Sequence, residues 1–181
     1  MTVLVCHASE HGATREIAER VAERLRRNGT KVELTGIDAA TSTAGYDTVV
    51  AGSAIHNGQW LPAAAELLRR DAAGLAARPV WLFSVGMVGD RGSAFGPRLT
   101  PILRRRQPMP EAVATLAAAG GTQVRHHRFS GVFRPEHTSR LGRAVFRAMG
   151  GRYGDRRDWA DVDGWADAIN AELRSQADRD A

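Results

Sequence analysis

Hydrophobic positions along this chain alternate between two periods. Short, nearly unbroken apolar runs fall at residues 3–7, 31–35, 48–53, 80–85 and 122–129. Between and after them, apolar residues recur at helical spacing from Ala13, from Pro62, over 110–119, over 139–149 and from Trp159. Strand and helix taking turns predicts an α/β domain with a parallel sheet covered by helices on both faces. Runs without polar alternation agree, because a central parallel strand is buried on both sides. The first helix puts Ile17, Val21 and Leu25 on one stripe, with Glu16/Arg20 and Glu23/Arg27 paired at i,i+4 on the wet side and Asn28-Gly29 as its stop. The last has Asp158 as candidate N-cap, Asp161 three residues on, and Val162, Trp165, Ile169 and Leu173 on one face. Its tryptophans read as core anchors.

A chain of 181 residues, 43% hydrophobic, suffices for one core. One domain over 1–175 is expected, with 131–157 as a basic insert before the last helix and 176–181 as a flexible tail. The single cysteine, Cys6, sits inside an apolar run, which excludes an intrachain disulfide and a cysteine metal cluster. Neither a basic leader with a long apolar segment nor a run near the roughly 20 residues of a membrane span occurs. A cytoplasmic location is expected.

Charge is uneven. Residues 1–97 balance 10 basic against 10 acidic groups, whereas 98–157 hold 13 arginines against Glu111, Glu136 and Asp155. Residues 158–181 reverse the sign with seven acids and two arginines. A local basic block points to an anionic partner. Biased codon usage is the competing explanation, since 24 of the 25 basic residues are arginine.

In an open parallel sheet, ligands bind beyond the carboxyl ends of the strands. Three loops rich in glycine and polar residues fall there: 8–14, 53–60 and 84–93. The first joins a strand to a helix through Ser9-Glu10-His11-Gly12-Ala13-Thr14, so its backbone N–H groups, two hydroxyls and the helix dipole can converge on a phosphate. It has no G-x-G-x-x-G fingerprint. It is no Walker A loop either, as the chain's one lysine is Lys31.

Ser9, Gly12 and Thr14 match the first loop of the flavodoxin-like FMN-binding family, which the order of elements and the other two loops also resemble. Within it, the chain is most similar to the bacterial menaquinone-dependent protoporphyrinogen IX dehydrogenases. Residues 9–18, Gly52-Ser53-Ala54-Ile55-His56-Asn57-Gly58, Phe83-Ser84-Val85 and Arg157-Asp158-Trp159 carry that similarity, as does the long segment 131–157. The resemblance implies a doubly wound five-stranded sheet of order 2-1-3-4-5, FMN as cofactor, and oxidation of a tetrapyrrole-like substrate by a quinone. It implies that Ser9, Glu10, His11, Gly12, Ala13 and Thr14 hold the FMN phosphate. Ala54, Ile55, His56, Asn57 and Gly58 would run along one side of the isoalloxazine, and Ser84, Val85, Gly86, Met87, Val88 and Gly89 along the other. Trp60 is expected to stack on the ring or else to pack inward at the start of the second helix.

His56 is the candidate for catalytic proton traffic, since its loop faces the ring and histidine titrates near neutrality. His126 and His127 are strand neighbours that point to opposite faces, and no metal is expected. Leu141, Val145, Phe146 and Met149 form an apolar stripe among Arg140, Arg143, Arg147 and Arg152, a basic amphipathic helix. It can dock on its own domain, lie on anionic lipid on the inner face of a membrane through 134–157, or bind carboxylates of a porphyrin-like substrate. The leading expectation is an FMN-dependent oxidoreductase. A flavodoxin-type electron-transfer protein and a non-catalytic binding module are the alternatives, and no nucleic-acid motif is present.

Overall fold

The computed structural model describes residues 1–180, except the side chains of Thr122, His137 and Asp180; Ala181 lies outside the described residues. Strand β1 (Thr2–Ala8) leads through helix α1 (Ala13–Arg27) to β2 (Lys31–Gly36), and the chain returns as β3 (Thr48–His56). A two-residue strand β4 (Gln59–Trp60) and helices α2 (Pro62–Arg70) and α3 (Ala72–Ala76) precede β5 (Val80–Gly86). Helices α4 (Thr100–Arg106) and α5 (Glu111–Gly120) lead to β6 (Val124–Ser130). Strand β7 (Val132–Phe133), α6 (Arg140–Ala148), β8 (Gly154–Asp155) and α7 (Trp159–Asp180) follow.

The five long strands are parallel in the order β2-β1-β3-β5-β6. This is the expected 2-1-3-4-5 order once β4, which pairs antiparallel with the end of β3, is set apart. Successive residues feed opposite cores, as strand geometry requires. Val3, Val5, Val50, Phe83 and Phe129 pack under α1 and α7, while Leu4, Cys6, Val49, Ala51 and Leu82 pack under α2, α3 and α5. Burial pushes the Cys6 thiol up to about 12, with Asp71 adding to the shift, so this cysteine is an inert core residue.

Charge registers α7 on α1. Arg20 makes paired bonds of 2.7 and 2.8 Å to Asp163, and Arg24 two of 2.8 Å to Asp167. The expected Arg27–Glu23 pair forms at 2.5 Å, but Arg20 is drawn off to α7 and Glu16 is taken by Arg157. Asp158 caps α7 by accepting from the Asp161 N–H at 3.1 Å. That helix continues through Asp180, so residues 176–180, expected as a tail, are helical.

The elements α3, α4, β4 and the antiparallel pair β7–β8 have no counterpart in the hydrophobic pattern. After β5 the chain folds into a tight excursion in which the Ala94 N–H bonds Met87 O at 2.8 Å and the Gly89 N–H bonds Gly92 O at 2.9 Å. Gly89 lies against the β6 backbone: a Cβ there would sit 2.6 Å from Ser130 N and 2.8 Å from Arg128 O. Backbone cannot yield as a flexible side chain does. Gly89→Ala should therefore lower stability by about 1–3 kcal/mol in denaturant titration, and an unchanged midpoint would contradict the close approach.

Candidate functional site

Strand register places three loops at one level. Ala8 is paired with Ser53, Ser53 with Ser84, and Ala54 with Val85, so β1, β3 and β5 end side by side. The chain leaves β1 through α1 on one face and β3 through α2 on the other, which makes this edge the topological switch point.

The first loop turns on Gly12, at φ 89° and ψ −25°, a left-handed conformation that a side chain would strain. Its carbonyl accepts from the Glu16 N–H at 3.0 Å, and its N–H donates to Ser9 Oγ at 3.0 Å. Ser9 thus spends a lone pair closing the turn and keeps its proton for a ligand. Ala13 begins α1 and Thr14 is buried in its first turn. A phosphate monoester fits this arrangement of hydroxyl, glycine and helix N-terminus. Glu10 is the charge out of place for an anion, and its carboxylate turns aside, 3.7 Å from His56 Nδ1 and 3.9 Å from His11 Nε2. Glu10 thereby bridges the first loop to the second.

That second segment is a hairpin rather than an open loop. Strand β3 extends to His56, and Asn57 and Gly58, at φ 50° and 78°, turn the chain into β4. Asn-Gly at a two-residue turn is a strong hairpin signal that the sequence carries openly. Ala54 and Ile55 are half-buried, while His56 and Asn57 are exposed at the tip beside Gly58. Trp60 does not stack over the site. It is 4% exposed, packs beneath the sheet edge with Leu4 and Leu82, and donates its indole N–H to Ser84 Oγ at 2.7 Å.

The third segment is also reduced. Ser84 and Val85 are interior strand residues, and Val88 and Gly89 are buried in the excursion against β6. Of 84–89, the segment expected to line one side of the ring, only Gly86 and Met87 are not buried, and Met87 is 48% exposed. Gln107, which no sequence motif marks, joins them. Its Oε1 is buried with no hydrogen-bond partner among the described residues, and its amide lies about 4 Å from where a Gly86 Cβ would stand.

His126 and His127 part to opposite faces, His126 toward Ser84 and His127 toward Asp161 of α7 at 3.0 Å. Among the described residues no group of three or more His, Cys, Asp or Glu side chains is arranged for a metal ion.

The 131–157 segment folds over the same edge. Strands β7 and β8 pair, and Arg157, 9% exposed, ties them to α1 through 2.6 Å contacts with both Glu16 and Asp155. Burial pulls the Arg157 pKa down, but its bonds to Asp155 and Glu16 outweigh this and raise it, so the guanidinium stays charged. Beside it lies a recess of about 290 Å³ between His11, Ala13 and Glu16 on one side and Val132, Arg134 and Arg157 on the other. Of the apolar stripe on α6, only Phe146 docks, its ring 5.4 Å from Phe95 and 4.8 Å from Tyr153. Leu141, Val145 and Met149 remain 75%, 51% and 44% exposed.

The flavodoxin domain family model matches residues 4–134. A protoporphyrinogen IX dehydrogenase [quinone] of Escherichia coli (strain K12) is 26% identical over 125 residues, 66% of this chain and 69% of that one. The Streptococcus pneumoniae TIGR4 flavodoxin superposes with a TM-score of 0.55 at 13% identity, covering 97% of this chain and 99% of its own. A mutant flavodoxin of Pseudomonas aeruginosa gives 0.56 at 12% identity, with 96% and 99% covered. Rubredoxin oxygen:oxidoreductase of Desulfovibrio gigas gives 0.53 at 19% identity; this chain spans 37% of its length. The chain belongs to the flavodoxin domain family, and its cofactor is FMN.

Proposed function

We propose that the protein is an FMN-dependent oxidoreductase that oxidises a reduced, tetrapyrrole-like substrate of the protoporphyrinogen IX kind with a quinone as acceptor. The observation carrying this is the joining of a hydroxyl- and glycine-bearing turn at Ser9–Thr14 to an arginine-rich lobe folded over the same edge, in a chain similar to a protoporphyrinogen IX dehydrogenase.

Bound FMN supplies one- and two-electron redox chemistry at its ring. The chain's own residues hold and orient it. Ser9 and the backbone of 10–14 take the phosphate, the His56-Asn57-Gly58 tip forms one side of the ring site, and Gly86 and Met87 form the other. His56, with Nδ1 toward Glu10, takes or returns a proton at the substrate. A quinone and a tetrapyrrole are both largely apolar, and the exposed Met87, Ile102 and Met109 offer such surfaces a landing.

The lobe of α4 and α6 faces anionic lipid in this reading. Val88, Phe95, Leu99, Leu103 and Phe146 form its small core, which leaves Ile102, Leu141, Val145 and Met149 outward among the exposed Arg98, Arg105, Arg106, Arg140, Arg147 and Arg152. Apolar insertion plus about 1 kcal/mol per near-surface arginine suffices for reversible peripheral binding. No described helix is long and apolar enough to cross a membrane.

Three outcomes are expected. Gly12→Val, which forces a β-branched residue into a left-handed turn at about 1–2 kcal/mol, should weaken FMN binding about tenfold in fluorescence titration while circular dichroism stays native. With the FMN-loaded protein, His56→Gln should lower menaquinone-dependent porphyrinogen oxidation about 10²-fold at unchanged FMN content; equal turnover removes His56 from the chemistry, and no turnover by the unmodified protein leaves an electron carrier or a binding module. Co-sedimentation with phosphatidylglycerol vesicles should be lost in high salt and in Leu141→Asp/Val145→Asp; binding indifferent to both would contradict the lipid face.

A further inference from the structure

Trp60, Ser84 and His126 form a polar line through the interior. Trp60 Nε1 lies 2.7 Å from Ser84 Oγ, which lies 2.8 Å from His126 Nε2. An indole N–H only donates, so the Ser84 oxygen accepts from Trp60. Directing the Ser84 proton to His126 Nε2 makes that nitrogen the bare one of a neutral ring protonated on Nδ1. Burial supports that state. It lowers the His126 pKa from 6.5 to about 4, with Arg128 adding to the effect, Asp90 opposing it and His127 adding again.

The three residues sit on three different strands. Trp60 ends the short β4, Ser84 lies near the end of β5, and His126 is on β6, the sheet's edge strand. Only two register pairs, Ile55–Trp60 and His56–Gln59, tie β4 to β3. A ladder that short is marginal by itself. Two further bonds brace its ends, from the Leu61 N–H to Ser53 Oγ and from the Glu111 N–H to Gln59 Oε1, each 2.9 Å. The indole is the anchor that runs from the hairpin under the sheet, and Ser84 and His126 fix where it points.

We propose that His126, acting through Ser84 and Trp60, is a positioning residue that holds the His56–Trp60 hairpin in the geometry that receives the flavin ring. The line itself is independent of the flavin; its consequence for binding depends on the flavin reading. Protonation of His126 would replace an acceptor by a donor opposite Ser84 and strand the Ser84 proton. The charged groups around it are those already named, Arg128, His127 and Asp90.

Two measurements on the full chain test this. In flavin-free protein, the Trp60 indole ¹H–¹⁵N resonance, assigned among the four tryptophans by Trp60→Phe, should titrate with a midpoint near 4. In His126→Leu it should be displaced at neutral pH and lose that titration. An indole signal unaffected by His126→Leu overturns the line. Because the unfolded chain takes up a proton that folded His126 refuses, stability should fall as pH drops from 6.5 toward 4, and this component should vanish in His126→Gln. Loss of a buried hydrogen bond predicts FMN affinity about three- to tenfold weaker in His126→Leu and in Ser84→Ala, with His126→Gln, which keeps an acceptor, recovering most of it. Unchanged affinity in both variants, with the indole displaced, overturns the positioning role. If the unmodified protein takes up no FMN, the flavin reading falls, and the indole titration still decides whether His126 holds the hairpin.

Discussion

Parallel pairing of β1, β3 and β5 with their ends at one level is the constraint from which the site follows. These strands are buried on both faces, so a slip of one residue would turn every side chain of a strand into the wrong core. Gly52 shows how tight the arrangement is, since the Phe83 ring occupies the space its side chain would need. With register set this firmly, the first loop, the hairpin and the end of β5 are brought together by the sheet, and the Trp60–Ser84 bond ties the hairpin to β5. Their only direct ion contact in the described residues is the exposed Glu10–His56 pair.

The arginine-rich segment adds a second layer on the same edge. Part of its charge is structural: Arg157 clamps the β7–β8 pair to α1, Arg128 binds Asp90, and Arg104 donates to Gly89 O at 2.9 Å. The remainder is presented outward together with the unburied Leu141, Val145 and Met149.

Alternating apolar runs make the sheet, its helices and its strand order legible, because burial on two faces leaves a periodic trace. Ser9, Gly12 and Thr14 are legible too, as a turn between strand and helix restricts residue type. What stays hidden lacks any such trace. Trp60 has the look of a ring-stacking aromatic, yet its place at the end of β4 turns it inward, and Asn57-Gly58 is the available warning. Ser84, Val85, Val88 and Gly89 adjoin Gly86 and Met87 in sequence, but the sheet interior and the close β6 backbone bury them. Gln107 comes near Gly86 and His126 bonds Ser84 across elements far apart in the chain, through packing that no local pattern encodes.

The central claim is that the turn at Ser9–Thr14 recognises the phosphate of FMN. Comparing FMN with riboflavin, which lacks only that phosphate, in a fluorescence-quenching titration of the flavin-free protein tests it most directly. FMN should bind with a stoichiometry of one and riboflavin far more weakly, whereas equal affinity for the two would contradict the account.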